Sequence, residues 1–192
     1  PAISDPGEVL VAECHKAGIA VTSLPGCCAL ITALTLSGLP TRRFCFEAFL
    51  PADKKERRAI LEELQRETRT IILYEAPHHL KKTLEELMSV LGNRRITLCR
   101  ELTKKFETIQ PTTLEEAISY YQEHEPKGEY VLVLEGADRK RLEQEEQLKW
   151  QEMSVKEHME LYESQGMDSK EAMKRVAKDR GVSKRDIYQS LL

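Results

Sequence analysis

The strongest constraint on this chain is an alternation of short apolar runs with amphipathic stretches across its first 136 residues. Residues 44–50, 70–74, 95–101 and 130–134 are rich in β-branched, aromatic or Cys side chains and read as strands, and residues 19–24 and 108–110 read as two shorter ones. Between them lie helical patterns. Asp5 can cap a helix with Pro6 at its start and Gly18 beyond its end. Residues 27–36 are small, apolar and uncharged, and read as a helix packed on all sides. Residues 53–69 form a charged amphipathic helix with Ile60, Leu61 and Leu64 inward, and residues 79–91 form another, stopped by Gly92. Thr113 and Glu116 supply a capping box for a helix through residue 123. Strands alternating with helices predict an α/β domain whose mixed sheet is flanked by helices, with ligands at the strand ends.

After Gly136 the pattern changes. Residues 139–163 are rich in Glu, Gln, Lys and Arg with sparse apolar positions, which predicts a solvated helix or helical linker. Asp168 with Glu171, then Ser183 with Asp186, cap two further helices separated by Gly181. Ala172, Val176, Ile187 and Leu191 form the expected inner face of this helix-turn-helix-like unit. The expected division is therefore 1–24, the end of an N-terminal α/β domain; 25–137, a second α/β domain; 138–166, a linker; and 167–192, a small all-helical unit.

Charge is nearly balanced, with 29 Lys and Arg against 32 Asp and Glu, so any nucleic-acid face must be local. One exists: residues 169–185 carry seven basic side chains against Glu171 and Asp179. Five cysteines, odd in number and without a C-x-x-C pair, point to a reduced, cytoplasmic setting. No apolar run is long enough to cross a membrane as a helix.

Four places can carry chemistry. Pro25-Gly26-Cys27-Cys28-Ala29 ends one strand and opens a small-residue helix, either as a tight turn or as a loop whose free amides meet a ligand. It fits neither a Walker loop nor a dinucleotide fingerprint. Tyr74-Glu75-Ala76-Pro77-His78-His79 closes an apolar strand; Glu75 suits anchoring, whereas the adjacent histidines cannot share a metal on one helix face. Arg100-Glu101-Leu102-Thr103-Lys104 with Glu107 packs charge at the exit of a buried strand, either for phosphate or ribose or as a surface ion-pair cluster. Lys170, Lys174, Arg175, Lys178, Lys184 and Arg185 suit contacts to an RNA backbone, or a merely solvated tail.

Taken in order, ISDPG, LPGCCALITALTLSGLPTRRFCFEAFLP, TIILYEAPHHL, LCRELTKKFET and GEYVLVLEG resemble the tetrapyrrole-methylase superfamily. They are most similar to its branch that methylates the ribose 2′-hydroxyl of a cytidine in 16S ribosomal RNA. The resemblance implies S-adenosylmethionine as cofactor, no metal, 16S ribosomal RNA or the small ribosomal subunit as partner, and a homodimer. It implies cofactor contacts at Pro1, the end of an acidic-glycine loop, and at Pro25, Cys28, Ala29, Tyr74, Glu75, Glu101 and Leu102. Cys27 and Cys28 replace the Pro, Ser or Thr commoner at that turn, which removes a hydroxyl contact. Arg100, Lys104 and Glu107 are the catalytic candidates by residue type and location, to hold phosphate, to lower the hydroxyl's pKa and to accept its proton. The chain opens without Met inside an implied loop, so a fragment lacking activity by itself is expected. A small-molecule methylase and an RNA-binding or dimerising module remain the competing readings.

Overall fold

The computed structural model describes residues 2–191, which divide into two compact units, residues 1–136 and 137–192. The first holds a five-stranded sheet built from β1 (Phe44–Phe49), β2 (Thr70–Glu75), β3 (Arg95–Arg100), β4 (Thr108–Thr113) and β5 (Tyr130–Leu134). The order is β1-β2-β5-β3-β4; β1 pairs with β2 in parallel and every other pairing is antiparallel. β1, β2 and β3 therefore run one way, and their carboxyl ends share one edge of the sheet. The expected mixed α/β architecture is observed.

Period-two alternation gives the sheet two buried faces. On one, Ile71, Leu73, Ile96, Leu98, Leu132 and Leu134 meet Leu61, Leu64, Leu80, Leu84, Leu87 and Leu114 of the helices. Those helices are α3 (Lys54–Leu64), α4 (Pro77–Leu91) and α5 (Leu114–Glu123). On the other face, Ile72, Cys99, Val131 and Val133 meet Leu30, Ala33 and Leu34 of α2 (Ala29–Leu36). Burying such side chains contributes about 1.5–3 kcal/mol each relative to exposure.

Helix starts follow local chemistry. Asp53 accepts from the amides of Lys55 and Glu56, and Thr113 and Glu116 form the reciprocal capping box. α4 starts with Pro77 in its first turn, where a missing amide proton costs nothing, and ends at Gly92 with φ of 75°. β4 contains Pro111, tolerated because the strand lies at the sheet edge.

Two expectations for this unit are corrected. Residues 19–24 form no strand: they have no ladder partner among the described residues, and Leu24 is 86% exposed. β-propensity alone does not make a strand when no backbone lies alongside to complete its hydrogen bonds. α2 is not packed on all sides either, since Ile31 and Leu36 are 45% and 46% exposed. α1 (Gly7–Lys16) is present, with Asp5 accepting from the Gly7 amide ahead of it.

The second unit contains α6 (Arg139–Gln151), α7 (Val155–Ser164), α8 (Ser169–Asp179) and α9 (Lys184–Leu191). The charged stretch is two helices rather than one, because Ser154 and Glu157 form a capping box that restarts the chain. Met159 of α7 packs with Ala172, Val176, Ala177 and Ile187, so the compact unit takes in both the charged stretch and the helix pair after it. Leu191, expected inward, is 39% exposed. No described helix is long and apolar enough to cross a membrane.

Candidate functional site

The site is built at the edge where β2 and β3 end. Tyr74 and Glu75 are neighbours in the chain, so they point to opposite faces of the sheet. Tyr74 lies on the α2 face, edge-on to Phe46 and Phe49 at ring separations of 4.9 and 5.6 Å. Burial, then the nearby Cys28 thiol, push its phenol above the ordinary range. Cys28 ends the Pro25-Gly26 loop as the N-cap of α2 and packs half-buried on the same apolar cluster as Tyr74. Pro25 and Ala29 are exposed beside it.

Leu102 reaches this cluster from the other strand end. Its backbone amide and carbonyl make no hydrogen bond among the described residues. The turn that presents it is strained: Glu101 and Thr103 adopt φ of 50° and 64°, a left-handed conformation that β-branched Thr strongly disfavours. Such strain persists only where surrounding bonds over-determine it. Those bonds are visible. The Glu101 amide donates to the Glu129 carbonyl at 3.0 Å, and the Glu101 carboxylate accepts from the Glu129 amide at 2.8 Å. Gly128 supplies the room, because a Cβ there would meet the Glu101 side chain at 2.5 Å. The Glu107 carboxylate accepts from the Thr103 amide at 2.6 Å.

The structure thus brings Cys28, Tyr74 and Leu102 onto one face, with Ala29 beside them. Glu107 is close enough to Cys99 on that face to add to burial in pushing this thiol up to about 12. Lys104 bridges Glu129 at 2.8 Å and Glu101 at 3.1 Å, which raise its pKa and leave its side chain half exposed. The Glu129 amide, then Lys104, hold the Glu101 carboxyl below its ordinary range.

Glu75 and Arg100 fall on the opposite face, flanking Tyr130 in register. The Glu75 carboxylate is buried and accepts from the Ala76 amide at 2.8 Å and the Thr83 hydroxyl at 2.5 Å. Thr83 also accepts from Arg57, which pairs with Glu86 at 2.6 Å. Glu75 is therefore committed to the α4 face and does not reach the α2 face that holds Cys28 and Tyr74. Thr83, Arg57 and Gly128 carry no motif in the sequence, because the fold rather than local spacing brings Thr83 and Arg57 to Glu75 and sets Gly128 against Glu101.

Pro1 lies outside the described residues. In the second unit, Lys170, Lys174, Arg175, Lys178, Lys184 and Arg185 are all exposed, and none forms an ion pair among the described residues. The His78 and His79 rings lie 4.1 Å apart and tilted by 49°, and no metal-binding group of His, Cys, Asp or Glu occurs among the described residues.

The fold places this edge in an α/β domain whose class the comparison with known proteins identifies as a methylase. The model of the Tetrapyrrole (Corrin/Porphyrin) Methylases matches residues 1–118, and the chain belongs to that family. It is 50% identical over 188 residues to the Ribosomal RNA small subunit methyltransferase I of Halalkalibacterium halodurans, spanning 98% of this chain and 64% of that protein. It is 44% identical over 190 residues to the Bacillus subtilis protein of the same name, spanning 99% of this chain and 65% of that protein. The chain spans about two thirds of the length of these curated relatives. Among solved structures, uroporphyrin-III-C-methyltransferase from Thermus thermophilus shares the fold, with a TM-score of 0.50 at 20% identity over 70% of this chain and 60% of that one.

Proposed function

We propose that the protein containing this chain is an S-adenosylmethionine-dependent methyltransferase of small-subunit ribosomal RNA, acting in the cytoplasm on a cytidine ribose 2′-hydroxyl. The observation that carries the reading is the shelf formed by Cys28, Tyr74 and Leu102, with a strained turn holding the unbonded backbone of Leu102 beside it. An apolar shelf with a free amide and carbonyl at its rim fits an adenine, which offers a flat face and donors and acceptors along one edge. The Ala29 amide, at the open start of α2, fits a polar group of the same ligand. The names of the relatives support ribosomal RNA as substrate.

When bound, the cofactor supplies the electrophilic methyl group, and the protein's part is to position and polarise the hydroxyl. For the hydroxyl oxygen to take up that methyl group, its proton would have to pass to a base on the protein. Glu107, exposed at the rim of the turn, is assigned to accept it. Lys104, on the same turn, is assigned to stabilise the alkoxide. Arg100, pointing to the far face of the sheet, is assigned to hold a phosphate of the RNA rather than the reacting atoms. The cations of α8 and α9 are assigned to the RNA backbone, and the working assembly is a homodimer with ribosomal RNA or the small subunit as partner.

The test is to supply full-length protein with methyl-labelled cofactor and small ribosomal subunits lacking the modification. A 2′-O-methyl group blocks alkaline cleavage at its phosphodiester. Label recovered in an alkali-resistant dinucleotide beginning with cytidine is the expected result. Label on a base, on a small molecule only, or nowhere contradicts it. Loss of RNA methylation on deleting residues 164–192, with cofactor binding intact, is the expectation for the tail.

A further inference from the structure

On the face of the sheet opposite the shelf, a cavity of about 310 Å³ lies between the end of β3 and the C-terminal end of α5. Tyr121 and Tyr130, joined through their hydroxyls at 3.2 Å, form its buried part. At its side stand two exposed rings. Tyr120 and His124 stack face to face at 4.1 Å and 4°, and Tyr120 is 44% exposed. This pair is held rather than free. The Nδ1–H of His124 donates to the Tyr120 carbonyl at 2.8 Å, and Tyr121 meets the Tyr120 ring edge-on at 5.0 Å. Two exposed, mutually stacked rings present a preformed flat surface on which a base can stack.

Two cations line the same cavity. Arg100 donates one terminal nitrogen to the Phe106 carbonyl at 3.2 Å, but its Nε is buried with no hydrogen-bond partner. A buried donor is costly to leave unpaired, and Arg100 lines the cavity that an acceptor would enter. Lys127 is exposed and forms no ion pair among the described residues. Of the two acids in the lining, Glu125 is paired with Lys81 at 2.5 Å.

Stacking rings beside phosphate-binding cations are the components of a single-stranded nucleotide site. We propose that this cavity is a docking subsite for an unpaired nucleotide of the RNA substrate, its base on the Tyr120–His124 platform and its phosphate between Arg100 and Lys127. The inference rests on the RNA-methyltransferase reading above and adds to it a second recognition point away from the cofactor shelf.

The experiment is a fluorescence-anisotropy titration of the full-length protein with a labelled single-stranded ribo-oligonucleotide, beside calorimetric titration with S-adenosylhomocysteine. Tyr120→Ala is expected to weaken oligonucleotide binding about tenfold, while Tyr120→Phe, which keeps the ring, binds as wild type. Lys127→Ala is expected to weaken binding and lower the salt slope by about one. S-adenosylhomocysteine affinity is expected to be unchanged in all three, which also reports that they fold. Wild-type binding by both alanine variants overturns the subsite and leaves the enzymatic reading intact. No oligonucleotide binding by the wild-type protein, even at low salt, overturns both.

Discussion

Thr83 donates its hydroxyl to the Glu75 carboxylate at 2.5 Å inside the first unit, joining the end of β2 to the middle of α4. The same oxygen accepts from Arg57 of α3 at 2.8 Å, so one threonine ties three elements together. Thr83→Val keeps the shape and removes both bonds, leaving a buried carboxylate with the Ala76 amide alone. The expected loss is about 1–3 kcal/mol of unfolding free energy, measured by urea denaturation. Unchanged stability would mean that water or a rotated Arg57 compensates.

The end of β5 predicts a backbone effect. A Cβ at Gly136 would overlap the Arg69 carbonyl and the Thr68 backbone, neither of which can swing aside like a side chain. Gly136→Ala is expected to cost about 1–3 kcal/mol through displacement of the residues entering β2, seen as a lower urea midpoint.

Cysteine reactivity should divide by burial. Burial first, then Glu67, pushes the Cys45 thiol up to about 11, and Cys99 reaches about 12, against an ordinary 9.0. Cys27 is exposed. At about pH 8, maleimide is expected to label Cys27 and spare Cys99 in native protein, read by mass spectrometry of peptides. A raised folded pKa means that the unfolded chain loses its thiol protons first. The stability these thiols contribute is therefore full below pH 9.0 and is lost as pH climbs toward 12.

The second unit should instead be acid-sensitive. His158 is buried between Trp150 and Tyr162, stacked on the former at 4.1 Å. Its Nδ1 accepts from Arg180 at 3.2 Å, and Asp179 stands 3.5 Å from its Nε2 while accepting from Tyr162. Burial, then the Arg180 charge, hold the imidazole below its ordinary 6.5, with Asp179 opposing. A depressed folded pKa makes the contribution full above 6.5 and lost as pH falls through the folded value. Thermal melts of residues 137–192 within the chain, followed at Trp150, are expected to drop between about pH 7.5 and pH 5. The His158→Gln variant is expected to lose that dependence; a pH-independent melt of the wild type would contradict the assignment.

Much of this architecture was legible in the chain. β2, β3 and β5 were readable because apolar β-formers sit between strong breakers, and the Thr113–Glu116 box marked its helix because both partners are local. Residues 19–24 misled because a strand is defined by a neighbour, which composition does not reveal. The Ser154–Glu157 box was present in the sequence and was overridden by the evenly charged composition around it. At the sheet edge, the sequence marked the strand ends but not the faces their side chains take: Tyr74 joins the α2-face cluster, whereas Glu75 bonds Thr83 on the other face. The left-handed turn at Glu101 and Thr103 carries no glycine to announce it, since the Glu101–Glu129 bonds and the space at Gly128 impose it from another segment.

Placement of the cofactor on the α2 face of the sheet edge is open to hydrogen–deuterium exchange of the full-length protein with and without S-adenosylhomocysteine. Exchange is expected to slow at residues 25–31 and 101–104, with α5 and residues 124–128 unchanged. Slowed exchange confined to α5 and residues 124–128, or none anywhere in residues 1–136, would contradict it.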